Sequence, residues 1–419
     1  MTAMPQEAAK QQNQADRQLH NPVLDNLINT PNADPVQLIN SILHELAYLL
    51  ASDIIFQPGR TSVALRARID GVLYNIGEIN HDLYAAVASR IKVICDLDIT
   101  HKSQVQEGQF TVEHENGIIN LRVEIVETVH GELIVLRLHE KRTIVMKLSE
   151  LGFSKESYDD YWKMLDQKSG LVLVCGPTGS GKTTTLYSTI TALKNIDNYN
   201  IMTVEDPVEF RLEGTNQIQT SKEKDFTFAT GLRTILRLSP DVVLVGEIRD
   251  KETAEIAVES GLTGLLVLST VHAEDSVGAL FRMLDLGVET YLLNSSLVGI
   301  VAQRLARRNC PSCLETYEPT KEELDIFTSI MGRPPNRLVR SKGCPSCQNM
   351  AYKGRIGIYE VLRIDAKIRG LIRKKASEEE FREMLTEMGF ITLLKDGLQK
   401  CEQGITTIDE VLRNSLRVE

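Results

Sequence analysis

The stretch GPTGSGKTTT, Gly176 to Thr185, follows directly on the apolar run LVLVC. Gly176, Gly181, Lys182 and Thr183 fit the spacing G-x-x-x-x-G-K-[ST]. Such a loop suits phosphate. Its glycines let successive backbone N–H groups curl around phosphate oxygens, and a helix beginning at its end adds positive potential. Lys182 can reach the β- and γ-phosphates of a nucleotide, and the Thr183 hydroxyl can hold Mg²⁺. The candidate cradle comprises Gly176, Pro177, Thr178, Gly179, Ser180, Gly181, Lys182, Thr183 and Thr184.

Hydrolysis at such a loop needs carboxylates at the ends of neighbouring strands. IMTVEDPVE supplies Glu205, Asp206 and Glu209, and DVVLVGEIRD supplies Glu247. Asp241 stands at the wrong end of its strand, and Gly246 precedes Glu247, so the usual metal-side aspartate is missing. Glu247 is the candidate base or water-orienting carboxylate. Glu205 is a candidate to hold Mg²⁺ through water. His272, in STVHAEDS, follows a fourth apolar strand, and a strand end of this kind lies near the ligand crevice. It is a candidate sensor of the γ-phosphate.

Four of the seven cysteines form two C-x₂-C pairs, Cys310/Cys313 and Cys344/Cys347, with thirty residues between them. Two such knuckles complete a tetrahedral set of thiolates for structural zinc. In a reducing compartment this explains them better than disulfides do. Cys95, Cys175 and Cys401 are scattered and read as small buried hydrophobes.

The elements that position these groups follow from the pattern. GLVLVCG, NIMTVED, DVVLVGEI and LLVLST are short, apolar and β-branched, with helical stretches between them. That is the signature of a doubly wound α/β sheet covered on both faces. Upstream, strand-like pieces such as SVALRARI and INLRVEIVE, joined by turns at Asp70-Gly71, Asn116-Gly117 and His130-Gly131, mix with two amphipathic helices. This predicts a disordered tail over 1–30, an α+β domain over 31–140 and a linker over 141–149. A nucleotide-binding core over 150–302, a four-cysteine subdomain over 303–360 and a helical region over 361–419 complete the expectation.

The net charge of −10 and pI near 5.5 argue against a general nucleic-acid binder. The first twenty residues lack the apolar core of a signal peptide, and no run of 18 apolar residues occurs. The expectation is a cytoplasmic protein, with attachment to a membrane through a partner left open.

Taken in order, GPTGSGKTTTLY, TVEDPVE, GLRTILRLSPDVVLVGEIRD, GLTGLLVLSTVHAEDS and QRLARRNCPSC resemble the ATPases of the type II secretion and type IV pilus assembly family. The similarity runs from about residue 33 to the end. It implies a RecA-like P-loop core preceded by a PAS-like α+β domain and followed by a zinc-binding C-terminal region. It also implies a homo-hexameric ring that hydrolyses ATP, moves its two domains against each other and works on an inner-membrane platform protein. A further cytoplasmic or bitopic membrane subunit is a possible partner, and the ring would sit peripherally on the cytoplasmic side of the inner membrane.

By the same resemblance Gly176 to Thr183 are the Walker A motif, Glu205 and Glu209 lie in an acidic box, Glu247 is the general base, and His272 belongs to a histidine box. Arg122 and Arg137 match a pair that approaches the phosphates from the first domain. Arg233 and Arg237 match a second pair in the core. The paired cysteines mark assembly motors rather than retraction motors. The chain departs from the family at Leu265, where a histidine is usual, and at Ile55, Gln57, Glu124 and Glu127 and over Lys102 to Gln109. Large members carry an extra N-terminal docking domain, for which this chain offers only its tail. Two alternatives stay open: a DNA-uptake or conjugation-type motor of the same superfamily, and a weakly hydrolysing, nucleotide-gated scaffold.

Overall fold

The computed structural model describes residues 18–30, 33–100, 105–114, 117–140, 145–196, 199–221 and 223–415. Contacts divide the chain into two units. One comprises Met1–Lys141 with Gly343–Gly354, and the other Arg142–Lys342 with Arg355–Glu419. The expected turn at Asn116-Gly117 begins outside the described residues, as do residues 1–17 of the expected tail and 141–144 of the expected linker.

In the first unit the elements run α1 (Pro22–Asn29), α2 (Pro35–Tyr48), β1 (Ala51–Pro58), β2 (Val63–Ile69), β3 (Val72–Ile79), α3 (His81–Ile94), β4 (Gln106–His114), β5 (Gly117–Thr128) and β6 (Gly131–Glu140). The strands form one antiparallel sheet in the order β3-β2-β1-β6-β5-β4. Val63, Leu65, Ala67 and Ile69 alternate inward along β2, as a strand with one buried face must. Asp34 and Asn80 cap α2 and α3 with their side-chain oxygens, each accepting from a backbone N–H of the first turn.

The expected tail over 1–30 needs correction at its end. Asn21 accepts from the N–H groups of Val23 and Leu24, Pro22 opens α1, and Leu24 and Ile28 bury one turn apart. Leu19 is buried too, and its N–H donates to the Asn75 carbonyl. A helix with only two apolar anchors gives too short a period to stand out beside a Gln/Asn-rich segment.

The second unit contains α4 (Lys155–Leu165), β7 (Gly170–Cys175), α5 (Lys182–Lys194), β8 (Ile201–Glu205), β9 (Asn216–Gln219), α6 (Phe228–Ile235), β10 (Val242–Val245), α7 (Lys251–Leu262), β11 (Leu266–Val271), α8 (Ser276–Asp285), α9 (Thr290–Ser296) and β12 (Leu297–Asn309). It continues with β13 (Leu314–Thr316), α10 (Lys321–Met331), β14 (Val339–Ser341), β15 (Tyr352–Arg363), α11 (Ala366–Lys374), α12 (Glu378–Glu387), α13 (Leu393–Glu402) and α14 (Ile408–Ser415). The main sheet has the order β15-β12-β7-β11-β10-β8-β9, and β12, β7, β11, β10, β8 and β9 run parallel. Leu171, Leu173 and Cys175 of β7 enter one core cluster and Val172 and Val174 the other. A strand buried on both faces reads as an unbroken apolar run for this reason.

The expected boundaries at 302/303 and 360/361 fall inside β12 and β15 and are corrected accordingly. Arg304, Arg307 and Arg308 make the second half of β12 look like a loop in sequence, yet Gln303 and Ala306 are buried. Ile358, Leu362, Phe381, Leu398 and Val411 share a core cluster with β7 and β11, so the C-terminal helices are built onto the sheet.

A charged pair lies inside this C-terminal layer. Lys400 Nζ donates to Asp396, whose carboxylate also accepts from the Tyr359 N–H at 2.8 Å. Both side chains are at most 5% exposed. Burial pushes the Asp396 carboxyl up and the Lys400 amine down, and each partner opposes the other's shift. Lys400→Met alone should cost about 3–5 kcal/mol, because it strands a buried carboxylate. Lys400→Met with Asp396→Asn should cost clearly less. Denaturant titration of both variants decides this, and equal losses would contradict it.

The single tryptophan, Trp162, is half-buried on α4, where it packs against one core cluster and meets Tyr158 edge-on at 6.2 Å.

Candidate active site

The chain leaves the core at Cys175 and turns through Gly176 to Gly181 into α5. Gly181 caps this helix with a left-handed backbone (φ 90°), and Lys182 is the first helical residue. A side chain at Gly181 would run into the amide nitrogen of Gln303, 2.7 Å from where its Cβ would stand. The Lys182 ammonium donates to the Gly176 carbonyl at 2.8 Å and the Pro177 carbonyl at 2.9 Å, closing the loop on itself. Burial pushes the Lys182 amine below its ordinary value, and Glu247 is among the groups that oppose the shift. Lysine and glutamate therefore share one field. Ser180 is buried, and its hydroxyl has no partner among the described residues.

Glu247 stands two residues beyond β10. The strand ends around it are clasped together. The Gly246 N–H donates to the Val204 carbonyl at 2.8 Å, the Ile248 N–H donates to the Thr270 carbonyl at 2.9 Å, and the Thr270 hydroxyl donates to the Gly246 carbonyl. Glu247 Oε1 is 2.5 Å from the Arg249 guanidinium, and Oε2 is 3.5 Å from His272 Nε2. Lys182, Glu247 and His272 thus stand at the same end of the adjacent strands β7, β10 and β11. Arg249 was not foreseen; it lies two residues beyond Glu247 and reads in sequence as a solvated strand-end cation.

Glu205 ends β8 and is 4% exposed. Its carboxylate accepts from Tyr187 at 2.5 Å, Thr203 at 2.5 Å and Gln217 at 3.1 Å. A carboxylate offers about four acceptor positions. Three are occupied here, which leaves room for a single water-borne contact with a metal.

The arginines divide between the units. In the first unit, Arg122 pairs with Glu107 at 2.9 Å and with Glu124, and Arg137 pairs with Asp53 at 3.0 Å. In the second, Arg233 pairs with Glu252 at 2.6 Å, and Arg237 donates to the Arg233 carbonyl. Arg304 was also missed. With Gly176, Pro177, His272 and Arg382 it lines a cavity of ≈ 780 Å³ beside the loop, and it donates to the carbonyls of Gln303 and Glu274. Burial holds its guanidinium below the ordinary arginine value.

Leu265 packs against the core beside the start of β11, and its carbonyl accepts from the Gly170 N–H at the start of β7. His272 lies at the other end of β11. At ~3.3 Å per residue the strand separates the two by roughly 20 Å.

The sulfur atoms of Cys310, Cys313, Cys344 and Cys347 all lie within 4.8 Å of one another. None of the seven cysteines forms a disulfide. Cys344 and Cys347 have their sulfurs 3.8 Å apart. A tetrahedral centre with ~2.3 Å metal–sulfur bonds requires about 3.8 Å between ligands. The donor set therefore fits a four-thiolate metal site with no open position. Cys175 and Cys401 are buried singly, and Cys95 is half-buried against the first unit's core.

The family described as "Type II/IV secretion system protein" matches residues 30–413. The chain belongs to this family. The type II secretion system ATPase E of Vibrio cholerae serotype O1 is 42% identical over 382 residues, 91% of this chain and 75% of that one. The type IV pilus assembly ATPase PilB of Myxococcus xanthus is 39% identical over 390 residues, 92% of this chain and 68% of that one. Among solved structures, the Legionella pneumophila ATPase DotB superposes with a TM-score of 0.69 at 21% identity, covering 94% of this chain and 98% of that one, a likeness of fold. The protein is a type II/IV secretion ATPase, and that activity requires a nucleotide and Mg²⁺. No described helix of this secretion ATPase is long and apolar enough to cross a membrane.

Proposed function

We propose that this secretion ATPase is a homo-hexameric motor that drives assembly of pilin or pseudopilin subunits from the cytoplasmic face of the inner membrane, working against a platform protein there. The observation that carries the catalytic part of this reading is the convergence of Lys182, Glu247 and His272 at the ends of β7, β10 and β11.

In this reading the backbone of Gly176 to Gly181 holds the phosphates, and Lys182 leaves the Gly176 and Pro177 carbonyls to meet the β- and γ-phosphates. Thr183, and Glu205 through water, would hold Mg²⁺, which would supply neutralisation of phosphate charge. Glu247 orients the attacking water and takes its proton, and His272 contacts the γ-phosphate. The Arg249 ion pair must loosen for Glu247 to act. Arg122, Arg137, Arg233 and Arg237 meet the charge that builds on the transferred phosphoryl group. Each arginine is engaged by a carboxylate or a backbone carbonyl, so delivery requires exchange of those partners. Zinc at the four cysteines is structural.

The 42% identity to a secretion ATPase and 39% to a pilus assembly ATPase support an assembly motor without separating the two machines. Steady-state phosphate release should rise several-fold when membrane vesicles carrying the platform protein are added, and size-exclusion with light scattering should show a hexamer in the presence of Mg²⁺ and a non-hydrolysable ATP analogue. Hydrolysis indifferent to every such platform, by a chain that stays monomeric, would sink the proposal.

A further inference from the structure

The phosphate loop is clipped from outside by one residue that the loop motif does not contain, through both its backbone and its side chain. Gln303 lies on β12, the strand beside β7, and is 2% exposed. Its carbonyl oxygen is 2.5 Å from where a Cβ on Gly176 would stand, so the loop's first glycine presses against the backbone of β12. Its side-chain amide nitrogen makes the equivalent approach to Gly181, the loop's last glycine. Its amide oxygen accepts a 2.7 Å hydrogen bond from the Thr185 hydroxyl, inside the first turn of α5, and Thr185 is itself fully buried. One residue therefore touches the first glycine, the last glycine and the helix that follows. The Gln303 carbonyl also accepts from Arg304, which ties the same point to the cavity beside the loop.

We infer that Gln303 is a positioning residue for nucleotide binding: it fixes the separation of Gly176 from the start of α5 and so sets the curvature of the phosphate cradle. This inference rests on the reading of Gly176–Thr184 as that cradle. Gln303 does not reach the reacting atoms. Its loss should be felt in affinity for the phosphates and much less in the chemical step. A buried hydrogen bond of this kind corresponds to about a tenfold change in binding.

The test uses the full chain. MgADP affinity is measured by calorimetry, with ATP KM and kcat by phosphate release, for Gln303→Leu, Thr185→Val, Thr185→Ser and the double variant Gln303→Leu/Thr185→Val. MgADP binding and ATP KM should each worsen about tenfold in Gln303→Leu and Thr185→Val, with kcat within about threefold. Thr185→Ser keeps the hydroxyl and should restore binding, and the double variant should be no worse than Gln303→Leu. Normal MgADP affinity in Gln303→Leu, a fall in kcat alone, additive losses in the double variant, or no rescue by Thr185→Ser would each overturn the inference. If Gln303→Leu does not fold, the serine and valine variants at Thr185 still decide it. A wild-type chain that fails to bind MgADP would overturn the reading of the cradle itself, which separates that failure from a failure of the clip.

Discussion

Glu247→Gln should reduce ATP hydrolysis by about 10²–10⁴-fold, the usual contribution of a general base, while binding MgATP about as well as the wild type. Glutamine keeps the side chain's size and can still orient a water, but it cannot accept the water's proton. The surroundings make the substitution informative. The backbone on either side of Glu247 is held by hydrogen bonds to the neighbouring strand ends, so the amide should occupy the same position. It loses the charge that pairs with Arg249 and faces His272. Arg249 lies mostly in solvent, so the loss of this pair adds little to a change in stability. Phosphate release and nucleotide binding measured on the same preparation separate the two effects. Unchanged turnover would remove Glu247 from the mechanism, and lost binding would make it a ligand of the nucleotide–metal complex instead.

The second large effect concerns the cysteines. The purified chain should carry one zinc per protomer, and stripping it with a strong chelator, or replacing Cys347 by Ser, should unfold the Cys310–Cys347 segment. A structural zinc site contributes on the order of 10 kcal/mol of folding free energy, comparable to the whole stability of a typical domain. Other contacts hold this segment in part. β13 and β14 pair over three residues each, and Phe327 of α10 reaches the core. The expected result is therefore a large drop in melting temperature with local exposure to protease, rather than complete loss of secondary structure. Metal analysis and limited proteolysis before and after chelation check this. A chain that is isolated without metal and melts identically in chelator would show that the four thiols are packing groups only.

The sheet and its loop were legible because their patterns are local. Strands buried on both faces are continuous apolar runs, and a phosphate loop is read from glycine spacing within a dozen residues. Lys182 opens α5 directly after the loop, and Glu247 and His272 follow the apolar runs of β10 and β11. What stayed hidden depends on neighbours distant in sequence. Gln303 opens the QRLARRNCPSC motif but lies more than a hundred residues from the loop it touches, and the motif itself does not connect it to that loop. The ion pair of Arg249 with Glu247 and the three donors on Glu205 are set by strand ends meeting in space. Leu265 and His272 are near in sequence but stand at opposite ends of β11, a separation that only the strand reveals. In α1, two buried residues and an Asn cap order a segment whose composition alone suggests none.

Trp162 has an optical consequence. Because it is the chain's one indole and sits on a helix that packs on β12, selective excitation of its emission follows the second unit and is blind to the first. Fluorescence and far-ultraviolet circular dichroism recorded along one denaturant series would therefore report on different parts of the chain. Non-coincident transitions would give the two units separate stabilities without cutting the chain, and nucleotide added to the same series would show which of them it protects.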